Sequence, residues 1–198
     1  MRPAANIAIG VLLGLCLVPA QLPAQRSVST SVDGFNEVPW GSTIEAIQEK
    51  FGSPVQIDTL ENGIIVLAYR EVVLDLAAET LYAMLPGQGL VKGQHMIPLD
   101  LEAGDCDDQY RRLRDHVTFM YPLITPLENA DFPYDLDFCS AVSEGVATWS
   151  TQWIDRSTAS IVTVIVQRGT DEVRLIFESG LFLDWLGVSL PPEELPDD

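Results

Sequence analysis

Two cysteines, two histidines and a cluster of carboxylates are the residues in this chain whose types and spacing could support chemistry. Cys106 and Cys139 stand 33 residues apart, and neither belongs to a C-x-x-C pair. In an oxidising compartment such an even pair is expected to form a disulfide. A loop of that length stabilises by about 3–4 kcal/mol in the chain-entropy account. A metal site is the alternative use of the two thiols, with His116 as its one supporting nitrogen ligand. His116 lies beside Asp115 in a helical stretch, where a charged face keeps such a residue solvated. His95 alternates with the apolar Met96 in a strand-like stretch, so a structural histidine is expected there.

Asp100, Glu102, Asp105, Asp107 and Asp108 offer the closely spaced oxygens that calcium favours, but Gly104 falls where an EF-hand places its third ligand. Helix capping and ordinary surface acidity account for the cluster. The chain has no G-x-S-x-G, H-E-x-x-H, P-loop or paired-cysteine pattern. No catalytic, metal-binding or cofactor-binding set is therefore assigned. Carboxylate pairs of the glycosidase kind meet only in the fold, and nothing in the sequence promotes one.

Trp149 and Trp153 share one strand face with Ala147 and Thr151 by period-two alternation. On the outer side of a sheet they would form a partner-binding patch, because tryptophan is enriched at interface hot spots. On the helix side they are core, the commoner fate of large aromatics.

Residues 1–24 carry the marks of an export signal. Arg2 supplies positive charge, Ile7 to Val18 is an uncharged apolar run, and Ala20 and Ala24 end cleavage-like triplets. An uncleaved anchor extending from Ala4 is the alternative, although the run is short for a membrane span. Leu15 stands where a lipobox before Cys16 would need a small residue. The formal net charge of −18, with only 11 Lys and Arg, opposes nucleic acid and anionic lipid as partners. The basic run Arg111 to Arg114 is expected on a wet helix face, answered by Asp107, Asp108 and Asp115.

The elements that position these residues follow from pattern. Residues 25–34 are polar and expected to be a flexible lead-in. Residues 35–186 form one domain, and 187–198 an acidic, Pro-rich tail. Ser42 is placed as an N-cap with Glu45 completing a capping box, and Ile44, Ile47 and Phe51 recur on one helical face. Gly52 and Pro54 then stop the helix. Strands are expected at "VQIDT", "IIVLAY", "VVLDL", "TLYAML" and "LVKGQHMI", with a hairpin turn at Asn62-Gly63. A second helix places Cys106, Tyr110, Leu113, Val117 and Met120 on one face, capped by Asp105 or Asp107 and ended by Pro122. Leu123 to Ser143 is a connector without periodicity. Three strands follow: "GVATWSTQWID", "ASIVTVIVQ" and "EVRLIFES". In the last, Val173, Leu175 and Phe177 alternate with polar residues, and Ile176 breaks the pattern. "LFLDWL" is a terminal helical turn. The expected fold is α+β, an antiparallel sheet with two short helices packed on one face, organised as two tandem helix-then-meander units.

Gly41, Thr43, Ile47, Phe51, Gly52 and Pro54 fit a G-x-[ST]-x(3)-[VI]-x(3)-[LF]-G-x-P pattern. This segment resembles the BamE/SmpA lipoproteins of the outer-membrane β-barrel assembly machinery. It is also similar to the helix openings of β-lactamase-inhibitor-protein-like repeats. The resemblance implies an α+β fold and a role in binding proteins rather than in catalysis. The function expected is thus that of an exported, periplasmic, non-catalytic module that binds another envelope or membrane protein. An extrinsic subunit held to a membrane complex by an uncleaved leader is the first alternative, and a hydrolase of unrecognised type the second.

Overall fold

The computed structural model describes residues 29–190, so the expected export signal and the end of the expected acidic tail lie outside the described residues. A two-residue hairpin, β1 (Gly34–Phe35) and β2 (Val38–Pro39), precedes helix α1 (Ile44–Phe51). Strands β3 (Gln56–Thr59), β4 (Ile65–Val73), β5 (Leu76–Leu85) and β6 (Gly89–Pro98) follow as a meander. Helix α2 (Cys106–Met120) leads to β7 (Leu127–Asp131) and helix α3 (Phe138–Ser143). The chain closes with β8 (Thr148–Asp155), β9 (Ser160–Val166), β10 (Glu172–Glu178) and helix α4 (Gly180–Leu186). Strands β3 to β10 form one eight-stranded sheet in the order β3-β4-β5-β6-β10-β9-β8-β7, antiparallel throughout. The two four-stranded meanders thus meet along β6 and β10.

The fold is α+β, as expected, but the helices among the described residues number four and occupy both faces. Helices α1, α2 and α3 cover the face that carries Leu67, Tyr82, Leu175 and Val164. Helix α4 lies on the opposite face, where Phe182 packs with Ile64, Leu85 and Val91 against Val66 and Ala83. Helix α3 and strand β7 fall in the stretch read as an unassigned connector. Asp137 caps α3 by accepting from the Ser140 N–H at 2.9 Å, and β7 lies exposed on the sheet edge, which is why it carries no apolar alternation.

Helix α1 begins one residue later than its pattern suggests. The cap is Thr43, whose Oγ1 accepts from the Ala46 N–H at 3.3 Å, rather than Ser42. Glu45 therefore does not complete a capping box. Its own backbone N–H and the Thr43 hydroxyl hold its carboxyl below the usual range. Gly52 takes φ 80° at the other end, backbone that a glycine adopts without strain. The "VVLDL" stretch is not a strand of its own. It holds the end of β4, the turn at Leu74-Asp75, both at positive φ, and the first residue of β5, whose second half is "TLYAML". Leucine rarely takes that conformation, so the turn was not visible in the residues.

The expected lead-in is anchored from Ser29 onward. The Val32 N–H donates to the buried Asp155 carboxylate at 2.7 Å, and the Ser29 N–H donates to the Met120 carbonyl. Burial pushes the Asp155 carboxyl up, but hydrogen bonds from Ser157, Val32 and Thr158 together hold it below its ordinary value. Phe35 then lies flat on the sheet over Gly93, with its ring centroid 5.1 Å from Tyr82, 4.8 Å from His95 and 5.3 Å from Phe177. A methyl group at Gly93 would overlap the Phe35 ring. Gly93→Ala is therefore expected to cost about 2–3 kcal/mol in urea unfolding, the range of an overpacked core. Unchanged stability would show that the hairpin is not seated there.

Candidate functional site

The structure places Trp149 and Trp153 in the core, so the exposed two-tryptophan patch is not formed. Their strand face is the one that the helices cover. Trp149 stacks on Tyr110 at 4.3 Å and meets Phe138 edge-on at 4.9 Å, and its Nε1–H donates to Glu128 at 2.7 Å. Trp153 is 0% exposed. The exposed tryptophan is instead Trp185 on α4, 42% accessible, beside the exposed Leu181 and Leu186.

Cys106 and Cys139 form a disulfide between the first turn of α2 and α3, with Cα atoms 5.7 Å apart. The acidic segment before α2 is used locally: Asp100 accepts from the Ala103 N–H, and Asp107 pairs with Arg111 at 2.9 Å. Arg114 pairs with Asp115, and Arg112 donates to the Leu74 carbonyl. Among the described residues, no group of three or more His, Cys, Asp or Glu is arranged to hold a metal ion.

The two histidines meet in one cavity of about 680 Å³. It lies between the β1–β2 hairpin, the tip of the β4–β5 hairpin and the second half of α2. His95 projects from β6 into the helix-covered face and is 3% exposed. Its Nδ1 lies 2.9 Å from Thr80 Oγ1, and that hydroxyl lies 3.1 Å from Glu71 Oε2. A carboxylate accepts only, so the single Thr80 proton goes to Glu71. Thr80 must then accept from His95, which fixes the ring as the Nδ1–H tautomer and leaves Nε2 with the lone pair. Glu71 also accepts from Asn36 at 2.9 Å and Tyr82 at 3.3 Å. Sequence reading had each histidine in isolation; their juxtaposition comes from β6 and α2 stacking across the core.

Burial, with a smaller contribution from His116, pushes the His95 imidazole down from 6.5 to about 4. Between those values the unfolded chain binds a proton that the folded chain refuses. Stability contributed by this group is full above pH 6.5 and is lost as the pH falls toward 4, by about 3 kcal/mol. Urea unfolding at pH 7.5 and pH 4.5 should show that loss, and His95→Gln should remove most of it. An equal loss in the variant would assign the acid sensitivity to other groups.

The face away from α1 to α3 is covered by α4 at one end and half-open elsewhere. One row of paired residues runs across it: Ala68, Leu81, Gln94, Ile176, Thr163 and Gln152. In this central row Ala68 and Thr163 are buried, Leu81, Gln94 and Ile176 half-buried and Gln152 exposed. The row contains no charge, and Ile176, the residue that broke the alternation, sits at its centre. In the flanking rows the cations are matched by acids. Lys92 pairs with Glu178 at 2.8 Å, Arg174 pairs with Glu172 at 2.6 Å, and Arg70 stands opposite Glu79. This face is therefore close to neutral on a chain of net charge −18. Met96 and Ile165 add half-buried apolar surface beside the central row.

No protein-family model, curated protein or solved structure matches this chain.

Proposed function

We propose that this chain is an exported, non-catalytic binding module of the cell envelope, which docks another envelope protein on the open face of its sheet. The observation that carries the reading is the uncharged central row from Ala68 to Gln152, flanked by internally neutralised ion pairs. Interface centres are depleted in charge, and a folded partner buries such a strip without stranding an unpaired ion. The exposed Trp185, Leu181 and Leu186 of α4 extend the apolar surface at one end.

Two further points support the assignment. The Cys106–Cys139 bridge fits an oxidising compartment, and none of the described helices is long and apolar enough to cross a membrane. The order α1 then β3 to β6, and α2 then β7 to β10, fits the tandem helix-then-meander units that the BamE/SmpA-like and inhibitor-protein-like resemblance implies. On this reading the Gly41–Pro54 segment is the helix opening of the first unit, and its role is architectural.

Met96→Lys and Ile165→Lys place an unpaired charge on the open face while leaving the opposite side of the sheet untouched. Leu123→Lys, at a position 77% exposed after α2, is the control. The wild type and the control should recover the same partner from envelope extract in equal amount, and each open-face variant at least about tenfold less. Near-ultraviolet circular dichroism of the Trp149–Tyr110 stack checks that each variant is folded. Equal recovery by folded open-face variants would remove the proposal.

A further inference from the structure

We propose that the cavity holding His95 and His116 is a binding site for a small organic cation, an amine or guanidine carried on an apolar body. Its volume of about 680 Å³ suits a small molecule. The site lies on the helix-covered side of the sheet and is separate from the docking face, so the two readings stand or fall independently.

Acids outnumber bases around the cavity. Asp33, Glu37 and Glu71 contribute carboxylates and His116 an imidazole, while Lys50 and Arg112 reach the rim at Glu37 and at the Leu74 carbonyl. Glu37 is shared with Lys50 at 3.0 Å on the outside of the hairpin. Glu71 is saturated by Asn36, Thr80 and Tyr82, so it supplies field rather than a direct contact. Asp33 is exposed at the mouth and engages the fold through its backbone carbonyl, which accepts from the Trp40 N–H. It is the carboxylate best placed to meet an arriving ammonium group.

His95 gives the site direction. The Glu71–Thr80–His95 chain commits Nδ1 as a donor, so the acceptor nitrogen of this lining residue is Nε2. An N–H donor suits both an acceptor nitrogen and the Asp33 carboxylate, whereas an anion or a bare acceptor suits neither. Val73, Leu74, Phe119, Met120, Leu175 and Phe177 supply apolar wall. Phe119 is exposed at the lip, where its ring face can receive a cation.

The mouth is also where the backbone is most constrained. Among the described residues, four of the five non-glycine residues with positive φ, Asn36, Glu37, Leu74 and Asp75, form the two hairpin turns beside it. Such conformations each cost on the order of 1–3 kcal/mol and concentrate at ligand clamps. Asn36, Glu37 and Leu74 all line the cavity.

Titration of the purified protein with phenethylamine, phenethyl alcohol and 3-phenylpropionate tests the assignment. Calorimetry gives the affinity, and the ring proton resonances of His95 and His116 report location. Phenethylamine should bind saturably and shift both histidines, with the alcohol and the carboxylate at least about tenfold weaker. Asp33→Asn should weaken the amine at least about fivefold while leaving the unfolding midpoint unchanged. Equal affinity for the three probes, shifts confined to residues outside the cavity, an unaffected Asp33→Asn variant, or no saturation at millimolar amine would each overturn the proposal.

Discussion

Replacing Cys106 and Cys139 together by alanine is expected to lower stability by about 3–4 kcal/mol, the chain-entropy value for a 33-residue loop. The bridge does more than close a loop. It ties α3 to the first turn of α2, and α3 presents Phe138 to Trp149 at 4.9 Å and to Tyr110 at 6.1 Å. The end of the loop it closes is its least buried part, since β7 is exposed along its whole length. Without the covalent tie, that end is held by the β7–β8 pairing, the Trp149–Glu128 hydrogen bond, the Phe132 and Phe138 ring contacts and the Asp137 cap. The urea midpoint of the double variant, and of the wild type after reduction, should fall together. A change below about 1 kcal/mol would mean that the unfolded chain is already constrained in this region.

Trp153→Ala is expected to cost about 3–5 kcal/mol, the range for removing a large aromatic from a packed core. Trp153 is fully buried on the helix-facing side of β8, where it stands opposite Val162. Its Nε1–H has no hydrogen-bond partner among the described residues. An unpaired buried donor costs about 1–3 kcal/mol, so Trp153→Phe gives back part of what the lost volume removes. The phenylalanine variant should therefore be clearly more stable than the alanine variant. If the two were equally destabilised, the indole N–H would be satisfied in solution, and if neither were, the residue would not be core.

The parts of the fold visible in the residues are those fixed by local rules. The Gly52 stop of α1, the Asn62-Gly63 turn, the apolar face of α2 and the alternation of β10 are each written within a dozen positions, whereas the start of α1 fell one residue from its expected cap. The disulfide was legible because the two thiols are the only ones after residue 16. What stayed hidden depends on contacts distant in sequence. Helix α3 is six residues long and owes its place to the bridge and to Trp149 rather than to periodicity. The side of the sheet on which Trp149 and Trp153 lie is invisible to alternation, which pairs residues but does not say which face the helices choose. The same ambiguity hid the second-face position of α4. His95 and His116 carry no spacing signature, because β6 and α2 bring them together through the core. Ile176 was the one local clue to the open face, an apolar residue where a polar one was due.

The open sheet face as a docking surface is tested most directly by a photo-reactive amino acid placed singly at Met96, Ile165 or Leu123 of the full-length chain in intact cells. Light-dependent adducts to one common protein from Met96 and Ile165, and none to that protein from Leu123, are the expected result. Adducts from Leu123 alone, or none from either sheet position, would contradict it.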